Sequence, residues 1–176
     1  MRAAALAVTL LATASAAQER VPDSLGLLVM LKVLTYDSGF DARGSGDFVV
    51  LIPYAPGREV DAAALAKLGS ALEVKSIKER PLRFVVVPAA ESSKQSASAV
   101  LLHSNFPGEV ARPLLTMGRT RRWYTLVLDE TLMLEGAVLG VGLADGKPQP
   151  LLNVTASKSV GAEFTSAVLK RARTYH

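Results

Sequence analysis

The chain has no cysteine and only two histidines, and these absences exclude most chemistry open to a protein of this size. Without a thiolate there is no thiol nucleophile, no thiolate metal site and no disulfide. His103 and the terminal His176 leave a metal centre without a third ligand. The Gly-x-Ser-x-Gly elbow of serine hydrolases is missing. Gly140-Val141-Gly142 looks like a fragment of a dinucleotide loop, but it leads into a hairpin and no helix follows to meet a phosphate. Gly146-Lys147 lacks the spacing of a P-loop, and Pro148 stands where the metal-binding hydroxyl belongs. Asp129, Glu130 and Glu135 form a modest acidic group that reads as a solvated face. The expectation is a protein with no catalytic residue, no metal and no cofactor, and so not an enzyme.

What is present suits one globular domain. The chain has 176 residues, of which 49% are apolar and 20% charged, enough for a core that needs no staple. The net charge of +4 is small and spread along the chain, which argues against nucleic acid as a partner. Arg2 followed by the uncharged apolar stretch Ala3–Ala14, with small residues at Ala14-Ser15-Ala16-Ala17, predicts a cleaved secretory signal over residues 1–17. That stretch is too short to span hydrocarbon. A soluble, exported domain over residues 18–176, not inserted in a membrane after cleavage, is the expectation, and the periplasm is the expected compartment.

Apolar patterning then sets the elements. Asp23 or Ser24 opens a helix whose Leu25–Leu34 run is apolar nearly all round, so it either packs inside the fold or covers a partner. Gly39 closes it in a left-handed cap. Phe48–Ile52, Phe84–Val87 and Ala99–Leu102 read as buried strands, with a helix from Asp61 after the first. Glu73–Ile77 alternates as a half-buried strand, and Leu114–Met117 reads as another short strand. Gly136–Leu143 and Leu151–Thr155 flank the hairpin turn Asp145-Gly146, with Pro148 and Pro150 keeping one side of the second strand in solvent. From Ser157 the stripe Val160, Phe164, Ala167, Val168 and Ala172 predicts a closing helix. The fold class is therefore α/β: a mostly parallel central sheet with helices on both faces, a C-terminal β-hairpin and a closing helix. Arg119, Arg121, Arg122 and Trp123 sit in a predicted loop and carry the residue types enriched at interface hot spots, which makes them the candidate partner-binding residues.

Leu31–Asp37 followed by Phe48–Ile52, then Leu115-Thr116-Met117-Gly118, Gly136, Asp145-Gly146, Asn153, Gly161 and the closing Ala167–Ala172, resemble in order and spacing the YfiR-like (YfiR/HmsC-like) family of periplasmic proteins. The resemblance implies an α/β regulatory protein that binds the extracytoplasmic part of a membrane-bound signalling protein, a diguanylate cyclase in the best-known case. It carries over no catalytic residue. The redox-active cysteines of the best-known member are missing here, which excludes sensing through disulfides. Regulation of a membrane partner is thus the first expectation, and a periplasmic small-molecule-binding module the alternative, since open α/β sheets bind ligands at strand ends. A homodimer is left open.

Overall fold

The computed structural model describes residues 20–176, so the predicted signal over residues 1–17 lies outside the described residues. Eight strands form one sheet: β1 (Phe48–Tyr54), β2 (Ser76–Ile77), β3 (Arg80–Pro88), β4 (Ala99–Leu102), β5 (Tyr124–Val127), β6 (Leu139–Ala144), β7 (Lys147–Asn153) and β8 (Arg173–Tyr175). Their order across the sheet is β2-β3-β1-β4-β5-β6-β7-β8. Pairing is parallel from β3 through β6 and between β7 and β8, and antiparallel at β2/β3 and β6/β7. This is the mostly parallel α/β sheet that the uninterrupted apolar runs predict, because a strand covered on both faces has no polar side to show.

Side chains alternate between the faces of each strand, and the two cores sort accordingly. Val50, Ile52, Ala99, Leu101, Tyr124 and Leu126 face α1 (Asp23–Leu34) and α2 (Glu59–Ala71). Val100, Leu102 and Val127 face α3 (Gly108–Arg121) on the other side. α1 buries Leu27, Met30, Leu31 and Leu34 completely or nearly so, each contributing about 1.5–3 kcal/mol by removal from water. The chain leaves β1 through α2 toward β3 and leaves β4 through α3 toward β5, so the direction of winding reverses between β1 and β4.

Several elements differ from the sequence expectation. Leu114–Met117 is not a strand; it lies inside α3, whose buried Ala111, Leu114, Leu115 and Gly118 fall at helical spacing. The predicted loop after it is the end of that helix followed directly by β5. Only Ser76 and Ile77 of the predicted strand at 73–77 pair with a neighbour. Gly39 has φ −85° and is no left-handed cap. The hairpin turn is as expected, with Asp145 at φ 51° and Gly146 at φ 70°. A helix follows it, α4 (Val154–Ser159), but Gly161 at φ 78° ends that helix early. Of the predicted apolar stripe only Ala167 and Val168 are helical, in the short α5 (Ser166–Leu169); Val160 lies just past α4, Phe164 bridges to Asp37 and Ala172 just precedes β8. α4 is capped by Asn153, whose Oδ1 accepts the Ala156 N–H at 2.8 Å.

Candidate functional site

The end of α3 determines where its arginines go. Arg122 N–H donates to the Arg119 carbonyl and Trp123 N–H to the Gly118 carbonyl, the paired bonds of a Schellman cap. That motif requires a left-handed residue, and Arg122 fills the position at φ 57° where glycine is usual. Trp123 then turns inward and is 5% exposed, packed with Leu51 and Val87. The candidate partner-binding group therefore divides: Arg119, Arg121 and Arg122 stay exposed, while Trp123 is packed into the core and shows only an edge, at the wall of the cleft described next.

Below the N-terminal ends of β1, β4 and β5 lies a cleft of about 500 Å³. Arg121 and Arg122 line it, together with Arg43 and Arg80 from distant parts of the chain. The Arg43 guanidinium carbon lies over the Tyr124 ring, 4.0 Å from its centroid. It donates to the carbonyls of Val160 and Arg122, while its buried Nε has no partner among the described residues. Arg80 donates to the Gly46 and Asp47 carbonyls and to Ser98 Oγ. Arg121 donates to the Gln95 and Ser93 carbonyls. Sequence reasoning missed Arg43 and Arg80 because nothing local marks them; Arg80 reaches this edge as the first residue of β3, and Arg43 as the last residue of a 3-10 turn after α1.

Behind the cleft is a buried carboxylate. Asp37, 1% exposed, follows α1 and accepts the N–H groups of Gly39 at 2.9 Å and Glu163 at 2.8 Å. Its other oxygen accepts the Tyr124 hydroxyl at 2.5 Å. Burial, followed by the bond to Asp37, pushes the Tyr124 phenol far above its ordinary range, against the opposing pull of Arg43 and Arg80. Tyr124 is thus a fixed donor and no acid-base group.

The opposite end of the sheet holds His103, just past β4, where open α/β sheets commonly bind ligands. It is 5% exposed. Its Nδ1 accepts the Asn105 N–H at 3.3 Å and its ring meets Phe106 edge-on, while Nε2 has no partner among the described residues. Burial lowers its basicity, with Asp61 opposing. The predicted acidic group is dispersed: Asp129 caps Thr131, Glu130 pairs with Arg173 at 2.5 Å, and Glu135 is held bidentately by Arg112 at 2.8 and 3.0 Å. That bond to Arg112 lowers the Glu135 carboxyl below its usual range.

The second surface of note belongs to α1. Leu25, Leu28, Val29 and Lys32 form a stripe on its outward side, with Tyr36 exposed in the turn just past its end, and Leu25 and Leu28 are 39% and 37% exposed. Beside it runs an apolar groove of about 380 Å³ lined by Val29, Val33, Tyr36, Pro150, Ala167 and Val168, with Lys32 and Arg171 at its rim. No helix among the described residues is long and apolar enough to cross a membrane.

No protein-family model matches the chain, and no curated protein matches it in sequence. Among solved structures it is similar to a conserved domain protein from Vibrio cholerae O1 biovar El Tor, at TM-score 0.57 and 14% identity over 87% of this chain. It is also similar to an ABC domain in complex with L-Trp from Streptococcus pneumoniae, at TM-score 0.56 and 8% identity over 87% of this chain. The match spans only 60% and 61% of the length of those two chains. At such identities the likeness shows the fold alone.

Proposed function

We propose that this chain is an exported, non-catalytic regulatory protein that binds the extracytoplasmic part of a membrane signalling protein. The observation that carries this reading is the double character of α1: one side is buried in the core, and the other presents Leu25, Leu28 and Val29, with Tyr36 just past its end, beside an apolar groove. Contiguous exposed apolar surface of this kind marks interaction sites. The basic rim of Lys32 and Arg171 suits an apolar segment flanked by acidic residues. The resemblance of the sequence to YfiR-like proteins supports the same role and the periplasm as its compartment.

The test is site-specific photo-crosslinking in the native host, with a benzophenone side chain at Leu28 and, as control, at the exposed Lys67 on α2. A membrane signalling protein is expected to crosslink from position 28 and not from 67, and Leu28→Glu is expected to abolish capture without changing the thermal midpoint. Equal crosslinking from both positions, or recovery of the uncleaved chain from the cytosol, refutes the proposal. A second reading, a small-molecule-binding module, is favoured by the arginine-lined cleft; one neighbour in fold was solved with L-Trp.

A further inference from the structure

We propose that the cleft below β1, β4 and β5 is a receptor for a small multivalent oxyanion, bearing phosphate or several carboxylates. The inference rests on the second reading above and fixes its site and ligand class; it is independent of docking at α1.

Charge is the first ground. Among the described residues, no carboxylate lies within ion-pair distance of Arg43, Arg80, Arg121 or Arg122; every ion pair involves other residues. Their hydrogen bonds go to carbonyl and hydroxyl oxygens, which orient a guanidinium but leave its charge. Glu163 is the carboxylate at the cleft wall, and Asp37 stands behind it with its bonds spent on Tyr124 and two backbone amides; Asp47, whose carbonyl meets Arg80, has its carboxylate neutralised by Arg83. Four arginines against two carboxylates leave an excess of two positive charges around a concave volume of about 500 Å³. That balance fits a dianion.

Two independent features point the same way. Arg43 keeps a buried Nε donor without an acceptor, and a buried orphan donor is costly unless a ligand or water meets it. Arg122 holds a left-handed conformation at φ 57° that glycine would adopt without penalty. Its side chain makes no hydrogen bond among the described residues, so the fold gains nothing visible from an arginine there. Strain of this type concentrates at binding sites.

The experiment uses the purified protein at fixed ionic strength, with pyrophosphate and citrate as probes against a chloride control. Titration calorimetry is expected to show saturable binding of at least one probe, and the better of the two identifies the headgroup chemistry. At a hundredfold excess over Kd the thermal midpoint should rise by about 5–10 °C. Arg122→Gly is expected to keep or raise the midpoint of the free protein while weakening the anion at least tenfold, a combination that a purely structural arginine cannot produce. Glu163→Gln should tighten binding. Absence of saturable binding by either probe, or an Arg122→Gly variant that binds like the parent, overturns the inference. Stabilisation by a neutral metabolite alone also overturns it while leaving the broader ligand-binding reading intact. So does binding of a hexaglutamate peptide without the small anions, which would assign the cleft to a protein partner.

Discussion

Replacing Tyr124 by phenylalanine removes one oxygen atom and tests the buried network that joins α1 to the sheet. The ring itself keeps its place: it lies 6.4 Å from Phe40, 6.0 Å from Phe48 and 4.0 Å below Arg43, and phenylalanine preserves all three contacts. What disappears is, among the described residues, the one side-chain donor to the Asp37 carboxylate, a group 1% exposed. Two backbone amides remain on its other oxygen. A hydrogen bond to a charged group contributes about 1.5–3 kcal/mol, and a buried acceptor left unmet costs a similar amount. For a domain of this size that corresponds to a midpoint lower by about 3–12 °C. Urea unfolding of parent, Tyr124→Phe, Asp37→Asn and the double variant closes the cycle, with a coupling above about 0.5 kcal/mol expected for groups in direct contact. A Tyr124→Phe variant within about 0.5 kcal/mol of the parent would show that the bond contributes no net stability, and the reasoning would fail.

Other consequences can be measured alongside it. Because burial lowers the His103 pKa, the unfolded chain takes up the proton first; stability should fall as pH drops below about 6.5, and His103→Gln should flatten that loss in urea midpoints between pH 7.5 and 5. The raised Tyr124 pKa has the opposite sign: its contribution is intact below about pH 10 and is lost above it as the unfolded phenol ionises. Tyr124→Phe should remove that alkaline component. A Cβ on Gly118 would stand 2.4 Å from Thr125 Cγ2, so Gly118→Ala should cost about 1–3 kcal/mol by forcing α3 off the sheet. The same shift carries Arg121 and Arg122 outward, and anion affinity should fall with it.

The legible parts of the fold are those where local pattern and tertiary environment agree. Phe48–Ile52 and Ala99–Leu102 are apolar at every position because β1 and β4 are covered on both faces, and Asp145-Gly146 has the backbone freedom that its turn uses. Leu114–Met117 misleads because four residues in a row suit a strand, while the helical spacing shows only over the longer span Ala111–Gly118. β5 was hidden for a related reason: Tyr124 and Thr125 adjoin a run of arginines, and their burial depends on neighbours β4 and β6. The closing stripe has genuine helical periodicity, but one left-handed glycine at 161 redirects the chain. The site divides in the same way. Arg121 and Arg122 are visible as a local cluster, whereas Arg43, Arg80 and Asp37 acquire meaning only once register places Val50 beside Ala99 and Ala99 beside Tyr124.

Asp37 gives the two surfaces a common element. It is the residue on which α1 leads into the rest of the fold, and its carboxylate reaches Tyr124, over which Arg43 of the cleft is stacked. An anion that draws on Arg43 acts on one side of this short chain of contacts, and a partner seated on α1 acts on the other. Linkage is reciprocal, so whatever factor the anion applies to partner affinity, the partner must apply to anion affinity. The physical requirement is an element with two arrangements that both ligands bias. The Asp37–Tyr124 bond is one contact on which such an element can turn, since among the described residues it is the hydrogen bond that joins that carboxylate to a strand of the central sheet. Measuring partner affinity with and without pyrophosphate, in the parent and in Tyr124→Phe, therefore separates two independent surfaces from one coupled device. A ratio that differs from unity in the parent and returns to unity in the variant establishes coupling through this bond; a ratio of unity in both assigns the surfaces to separate tasks.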